Sequence, residues 1–201
     1  MTIREPRNER SRRTRAAILG ATRALLEDGG LSSLTMAAVA DRAEISRRAV
    51  YLHFDSRSRL LAALFDHVNE TEGLAESSRP VLEAPDAVSA LMEWADHLAR
   101  YHPRLVPITR AIERARDTDP DAAALWDMIM ADWLAACEHL ADRLKREGRL
   151  AAPWTARHAA DLLWALMSVD VCERLVGDRR WTSRRYGDRL GMLLRATLVS
   201  E

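Results

Sequence analysis

The stretch from residue 35 to residue 57 reads TMAAVADRAEISRRAVYLHFDSR, and it decides how the rest of the chain is interpreted. It holds two short helical patterns, 36–43 and 47–54, separated by about three residues. Thr35 and Ser46 precede these patterns and are residue types that cap helix N-termini well. The predicted inner faces carry four apolar anchors: Val39, Ile45, Val50 and Phe54. This pattern predicts a helix-turn-helix, whose second helix enters the major groove of DNA.

Arginine side chains gather at the start of the second helix of this pair. If Val50 faces inward, Arg47 and Arg48 stay in solvent at the helix N-terminus, where a positive charge opposes the helix dipole. Arg57 and Arg59 repeat this arrangement at the start of the next helix. An anion in front of both helix starts, such as DNA phosphate, would make the arrangement favourable. The alternative is a solvated face in an arginine-rich protein.

The composition of the whole chain agrees with a globular protein that has one basic end. Of the 201 residues, 48% are hydrophobic and 30% are charged, and the formal net charge is zero. Residues 1–67 nevertheless hold 12 basic and 8 acidic residues, which predicts a polyanionic partner for that part. Charges interrupt every apolar run, the N-terminus lacks a signal-peptide pattern, and there are only two cysteines. We therefore expect a cytoplasmic protein without a membrane partner.

The stretch 35–57 resembles the TetR family of bacterial transcriptional regulators. The resemblance rests on Thr35, Ser46, the Tyr-x-His-Phe run at 51–54, and the Ser-Arg pair at 56–57. It implies a homodimeric repressor that binds a palindromic operator in double-stranded DNA and is released by a small-molecule effector. The chain departs from the family pattern at Glu44, where glycine is usual, and at Arg57, where lysine is usual.

The resemblance also implies which residues contact DNA. Arg47 and Arg48, with Ala49 and Leu52, are the expected base readers. The expected contacts to the DNA backbone are Thr35, Ser46, Tyr51, His53 and Arg57. The full set is Thr35, Ser46, Arg47, Arg48, Ala49, Tyr51, Leu52, His53 and Arg57.

Helical spacing continues along the remaining chain and predicts an all-α fold with about nine helices. The predicted order is an arm and helix-turn-helix DNA-binding domain over 1–55, a connecting helix over 56–77, and a helical effector-binding and dimerisation domain over 78–201. Within the last part, Pro103 and Pro107 predict a helix break, because proline lacks the amide N–H that a helix interior needs. Single helices are predicted over about 57–76 and 153–176.

All six tryptophans lie in the predicted larger domain, where apolar and aromatic residues could line a pocket for a largely apolar or aromatic effector. His97, Asp132 and Asp170 are candidate polar contacts. The candidate effector residues are Trp94, His97, Leu98, Tyr101, Met128, Met130, Trp133, Cys137, Trp164, Met167 and Asp170. The alternative is that these stripes form ordinary core.

The last two predicted helices are apolar on more than one face, so one face requires a partner, which a second copy would supply. The candidate interface residues are Leu162, Leu166, Val169, Leu190 and Leu194. We expect no metal site, no cofactor and no enzymatic activity, because the chain has no recognisable ligand set or catalytic motif. Two other readings stay open: a DNA-binding regulator without an effector, and an all-helical enzyme or binding protein.

Overall fold

A computed structural model describes residues 9–200 of the chain, so the predicted N-terminal arm lies largely outside the described residues. The described residues form an all-α fold with a 3₁₀ turn at Leu31–Ser33, a π-helical turn at Glu173–Asp178 and no β-strand. The α-helices are α1 Glu9–Gly29, α2 Met36–Arg42, α3 Arg47–His53, α4 Arg57–Thr71, α5 Leu74–Glu83, α6 Ala87–Ala115, α7 Pro120–Arg146, α8 Ala156–Leu166, α9 Val169–Cys172 and α10 Ser183–Leu198.

The chain divides into two compact units that are not contiguous in sequence. Unit 1 comprises residues 1–69 and 107–127, and unit 2 comprises residues 70–106 and 128–201. The end of α6 and the start of α7 therefore belong to the same unit as the N-terminal helices. The predicted division of the chain at residues 55 and 77 does not include this grouping.

In unit 1, the helix-turn-helix forms as the capping pattern predicts. The Thr35 Oγ1 accepts the Ala38 N–H at 3.1 Å, and the Ser46 Oγ accepts the Ala49 N–H at 3.2 Å. Each side chain thus satisfies one of the backbone donors that a helix N-terminus leaves open. The anchors Val39, Val50 and Phe54 are buried together with residues of α1 and α4, among them Ile18 and Leu60.

The predicted helix break at Pro103 and Pro107 is wrong, because α6 runs through both prolines. Proline removes the N–H that would bond the carbonyl four residues earlier but does not forbid helical dihedral angles. Here Leu98, Leu105 and Ile112 are buried along the same helix, and this burial favours continuation. Two helices that were predicted to be continuous are divided instead. The helix predicted over about 57–76 is interrupted before Gly73, which has left-handed dihedral angles, and the helix predicted over 153–176 is interrupted at Ser168, whose Oγ caps α9.

The core of unit 2 is built from α6, α7, α8 and α10. Gly187 and Gly191 of α10 let that helix lie close to α6: a Cβ on Gly187 would come within 2.9 Å of the Asp96 Oδ1 and 3.0 Å of the Ala99 Cβ. A larger residue at Gly187 would press against Ala99 of α6, whereas at Gly191 the nearest atom is the flexible end of Met92.

The close approach of α10 to α6 corrects part of the predicted dimer interface. Leu190 and Leu194 lie on the inner face of α10 and are buried in the core of their own unit, so they are not an exposed surface. The outer face of α10 carries Met192 and Leu193 instead, both exposed. On α8 and α9, Leu162, Leu166 and Val169 are half-buried.

Within residues 9–200, no helix is both long enough and apolar enough to cross a bilayer. The same residues contain no group of three or more histidine, cysteine, aspartate or glutamate side chains placed to hold a metal ion.

Candidate DNA-binding and ligand sites

The outer face of α3 presents most of the predicted base-reading side chains to solvent. Arg47 and Arg48 are exposed at its first turn, and Tyr51 and Leu52 are 44% and 77% exposed. The Arg47 guanidinium carbon lies 5.8 Å from the centroid of the Tyr51 ring, a cation–π contact within one helical turn. Ala49 is only half-buried. Two cations and an apolar side chain on one short helix suit hydrogen bonding and apolar contact with base edges. The phenol of Tyr51 has a hydroxyl group that can donate to a phosphate oxygen.

The two cap residues of the motif are both accessible to solvent. Thr35 and Ser46 are exposed, and each uses a hydroxyl oxygen to accept from its own helix. A hydroxyl group that accepts a hydrogen bond keeps its own hydrogen for donation. Both side chains therefore have the chemistry to donate to a phosphate oxygen in front of the helix start.

His53 is half-buried at the end of α3, and its surroundings disfavour the imidazolium. Burial and the nearby Arg15 charge lower the pKa of His53 below its ordinary value of 6.5. The Arg15 guanidinium carbon lies 4.7 Å from the centroid of the Phe54 ring. Arg15 was not among the predicted site residues, although the cluster of arginines at the start of α1 was a signal for it. It adds a cation beside α3 that the motif alone does not show.

Arg57 is an expected phosphate contact, but in this structure all five of its N–H donors are used inside the protein. The Nε donates to the Leu34 carbonyl at 2.8 Å, and one terminal nitrogen donates to Asp119 at 2.9 Å and Asp121 at 3.1 Å. The other terminal nitrogen donates to the Leu31 carbonyl at 3.0 Å and to Asp119 at 2.8 Å. Because these hydrogen bonds occupy every N–H group, the guanidinium in this arrangement has no free donor for DNA. The side chain is also only 21% exposed.

Glu44 occupies the turn between α2 and α3 with a φ of 54°, the left-handed conformation that glycine adopts without strain. A side chain there costs roughly 1 kcal/mol. Its carboxylate is exposed on the turn that precedes Arg47 and Arg48.

In unit 2, four of the predicted effector residues come together in an aromatic cluster, which consists of Trp94, His97, Tyr101, His102 and Trp133. The rings of Trp94 and Trp133 stack at 5.5 Å between centroids with an interplanar angle of 17°. His97 and Tyr101 stack at 5.2 Å and 19°. His102, which sequence reasoning missed, contacts Trp133 at 5.4 Å. The sequence did contain an indication of His102, because it directly follows the predicted residue Tyr101.

The aromatic cluster is uncharged at neutral pH. Burial lowers the pKa of His97 to about 4 and that of His102 to about 3, and it raises the pKa of Tyr101 to about 12. The His97 Nδ1 is 2.9 Å from the Ser77 Oγ. Among the described residues, the Trp94 Nε1 and the His102 Nδ1 have no hydrogen-bond partner although both are buried. Buried polar atoms normally have a hydrogen-bond partner, so these two leave hydrogen-bonding capacity for a further group at the aromatic cluster.

The other predicted effector residues lie elsewhere. Leu98, Cys137 and Met167 are fully buried members of the hydrophobic core of unit 2. Trp164 is exposed on α8, and its carbonyl accepts a hydrogen bond from the Trp133 Nε1 at 3.3 Å. Met128, Asp132 and Asp170 are exposed and Met130 is half-buried. Apolar and aromatic residues at helical spacing occur both in a hydrophobic core and in the wall of a pocket. The sequence pattern therefore predicts core residues and pocket residues as one set.

A cleft of about 500 Å³ lies within unit 1, between the end of α1 and the last turns of α6. Leu26 and Leu31 line one side, and Pro107, Arg114 and Thr118 line the other. The cleft is formed by segments more than 70 residues apart in the sequence, and the sequence analysis gave no indication of it.

The comparisons with known proteins agree with the geometry of unit 1. The sequence model described as "Bacterial regulatory proteins, tetR family" matches residues 18–64, which span the helix-turn-helix. The chain belongs to the TetR family. Among its TetR relatives is the HTH-type transcriptional regulator EthR of Mycobacterium tuberculosis, 30% identical over 69% of this chain and 64% of EthR. Another is the HTH-type transcriptional repressor BepR of Brucella suis, 25% identical over 88% of both chains. The chain thus spans just under two thirds of the length of EthR.

Solved structures show that the similarity to TetR regulators in fold extends over nearly the whole chain. NalD, the secondary repressor of a multidrug efflux pump in Pseudomonas aeruginosa, aligns with a TM-score of 0.72 and 20% identity, covering 96% of this chain and 99% of NalD. The SmeT–triclosan complex aligns with a TM-score of 0.74 and 22% identity, covering 94% and 93%. At these identities the likeness establishes a shared fold. The relatives named above are transcriptional regulators, not enzymes.

Proposed function

We propose that this protein is a homodimeric transcriptional repressor that binds a palindromic operator through α3 and is released by a small-molecule effector bound in unit 2. The observation that carries the DNA-binding part is the outer face of α3, where Arg47, Arg48, Tyr51 and Leu52 are exposed together. The helix is held from behind by Val50 and Phe54, which are buried. Base edges are accessible to a helix presented in this way. The proposed place of action is the cytoplasm, and no catalytic step is assigned.

The apolar outer surface of α8 and α10 supports a second copy of this chain as the partner in the dimer. Trp164, Met192 and Leu193 are large apolar side chains that are 38%, 57% and 49% exposed. A two-fold interface would bury the same surface on both protomers and pair helices into a bundle. The two recognition helices would then enter successive major grooves about 34–36 Å apart.

Selection of random double-stranded DNA on the purified protein at near-physiological salt tests both statements. We expect enrichment of an inverted repeat whose half-sites lie about one helical turn apart. A single half-site would contradict the dimer, and enrichment of no sequence at all would contradict operator recognition.

The aromatic cluster supports an uncharged aromatic effector that carries a hydrogen-bond acceptor. The two tryptophans offer ring faces, and the buried Trp94 N–H offers a donor with no protein acceptor. Because both histidines are neutral at pH 7, the aromatic cluster itself supplies no charge that would hold an anion. Trp94 and Trp133 are half-buried, so one edge of the stack remains accessible.

Triclosan, the aromatic ligand seen with SmeT, is a suitable first probe for calorimetric titration. Trp94→Phe keeps a ring in the stack and removes the N–H, so we expect it to weaken binding about 5- to 10-fold, the effect of one lost hydrogen bond. Trp181→Phe is the matched control, because Trp181 contacts Arg185 and is in none of the ring pairs of the aromatic cluster. Equal binding by Trp94→Phe and the wild type would place the ligand elsewhere. If no uncharged aromatic compound in a wider panel weakens operator binding, the protein is a regulator without such an effector.

A further inference from the structure

We propose that Arg57, Asp119 and Asp121 form a clamp that positions the helix-turn-helix for DNA, so that Arg57 supports DNA binding through geometry and not through a phosphate contact. This inference rests on the proposed DNA-binding function. It concerns Arg57, which stands at a position where the family pattern usually has lysine.

The clamp joins three segments of unit 1 that are far apart in the sequence. Arg57 begins α4, and its guanidinium binds the carbonyls of Leu31 and Leu34 in the connection between α1 and α2. The same guanidinium binds Asp119 and Asp121 at the start of α7. The connection, the start of α4 and the start of α7 are therefore fixed against each other at one side chain.

Both carboxylates are themselves held in place. The Asp119 Oδ1 accepts the N–H groups of Asp121 at 3.0 Å and Ala122 at 3.2 Å, so this aspartate also caps α7. Ser58, the residue after Arg57, donates its hydroxyl to Asp121. The hydrogen bonds from Arg57 hold the pKa of Asp119 below its ordinary value, so the carboxylate of Asp119 stays ionised at neutral pH. A phosphate could recruit Arg57 only by displacing two ordered carboxylates and two carbonyls.

The location of the clamp relates it directly to the recognition helix. Leu34 immediately precedes the α2 cap Thr35, and Arg57 follows the end of α3 by four residues. The clamp thus holds the chain at the entry to α2 and just beyond the exit from α3. Asp119 and Asp121 begin α7, the helix that continues into unit 2 beyond residue 127. Any ligand that shifts the start of α7 would act on the clamp, and through it on both ends of the helix-turn-helix.

A mutant cycle on the selected operator duplex tests the clamp against a phosphate contact. We expect Arg57→Gln and the pair Asp119→Asn with Asp121→Asn each to weaken binding about tenfold. The variant with all three changes should be no weaker than either, because the groups act as one unit. The salt dependence of binding should stay unchanged in Arg57→Gln. Arg57→Lys should fail to restore affinity, since an ammonium cannot reproduce the planar five-donor geometry.

The opposite results would overturn the clamp. A phosphate contact predicts that Arg57→Gln lowers the slope of log affinity against log salt by about 0.9. It also predicts that Arg57→Lys restores binding, and that removing the two carboxylates tightens binding by releasing the guanidinium. Arg59→Gln is the matched control, because Arg59 lies in the same helical turn and pairs only with the exposed Asp55 among the described residues.

A measurement without DNA separates failure of the clamp from failure of the DNA-binding function. Amide hydrogen exchange in residues 36–53 should be about tenfold faster in Arg57→Gln than in Arg59→Gln, because the ends of the motif lose their anchor. Unchanged exchange in these residues would overturn the clamp even if the wild type binds no DNA. If the wild type binds no DNA while the exchange rates differ, the clamp stands as a positioning device and only the operator function fails.

Discussion

Replacing Arg47 and Arg48 together by alanine is expected to weaken binding to the selected operator about 100-fold or more at near-physiological salt. Each well-placed bidentate contact from arginine to a base contributes about 1–3 kcal/mol of discrimination. Both side chains are exposed at the first turn of α3, the end of the recognition helix that reaches base edges. Fluorescence anisotropy with a labelled operator duplex measures the loss, and repeated selection with each single variant shows which operator position becomes relaxed.

Arg157→Ala provides the control for this prediction, since Arg157 is an exposed arginine of α8 in unit 2. It should bind the operator as the wild type does. If the double variant loses the same factor on the operator and on a random duplex, the two arginines contact phosphates and the base-reading assignment is incorrect. Unchanged operator binding would remove α3 from the interface altogether.

Replacing Phe54 by alanine is expected to lower the free energy of unfolding of unit 1 by about 3–5 kcal/mol, the usual range for truncating a buried phenylalanine. Phe54 is 3% exposed and follows the last residue of α3, where it packs within unit 1 and carries the guanidinium of Arg15 on its ring. Its loss leaves a cavity behind the recognition helix and removes that cation–π contact. Urea unfolding followed by circular dichroism measures the change.

Leu52→Ala is the matched control for Phe54, because Leu52 lies in α3 two residues before Phe54 and is 77% exposed. It should leave the free energy of unfolding within about 0.5 kcal/mol of the wild type. It should nevertheless alter operator preference if its side chain contacts a thymine methyl group. Equal destabilisation by the two alanine variants would mean that Phe54 does not anchor α3.

Local signals in the sequence sufficed for the helix-turn-helix. Thr35 and Ser46 were predicted as caps from residue type and position, and both accept the expected backbone hydrogen bonds. Glu44 stands where the family pattern usually has glycine, and its φ is positive in the structure, as that position requires. Caps and turns involve groups only a few residues apart, so short-range chemistry determines them.

Long-range interactions explain what the sequence analysis missed. Arg57 finds its carboxylate partners 62 and 64 residues later, and no periodic pattern connects them. Leu190 and Leu194 were assigned to the outer face because α10 is apolar on two sides. Only the close approach at Gly187 and Gly191 decides which side faces α6. Four of the five residues of the aromatic cluster were predicted, and His102 was not. The stacking of the rings depends on how α6 and α7 are aligned along each other, which the sequence does not specify.

The two prolines of α6 have a mechanical consequence. Since Pro103 and Pro107 carry no N–H, the carbonyls of Ala99 and Pro103 receive no hydrogen bond from the residue four positions later. The transition of α6 from unit 2 to unit 1 falls between residues 106 and 107, at the end of this weakened segment. This segment of α6 therefore bends more easily than a helical segment with a complete set of backbone hydrogen bonds. By contrast, α7 contains no proline after its first residue, so no proline interrupts its backbone hydrogen bonds.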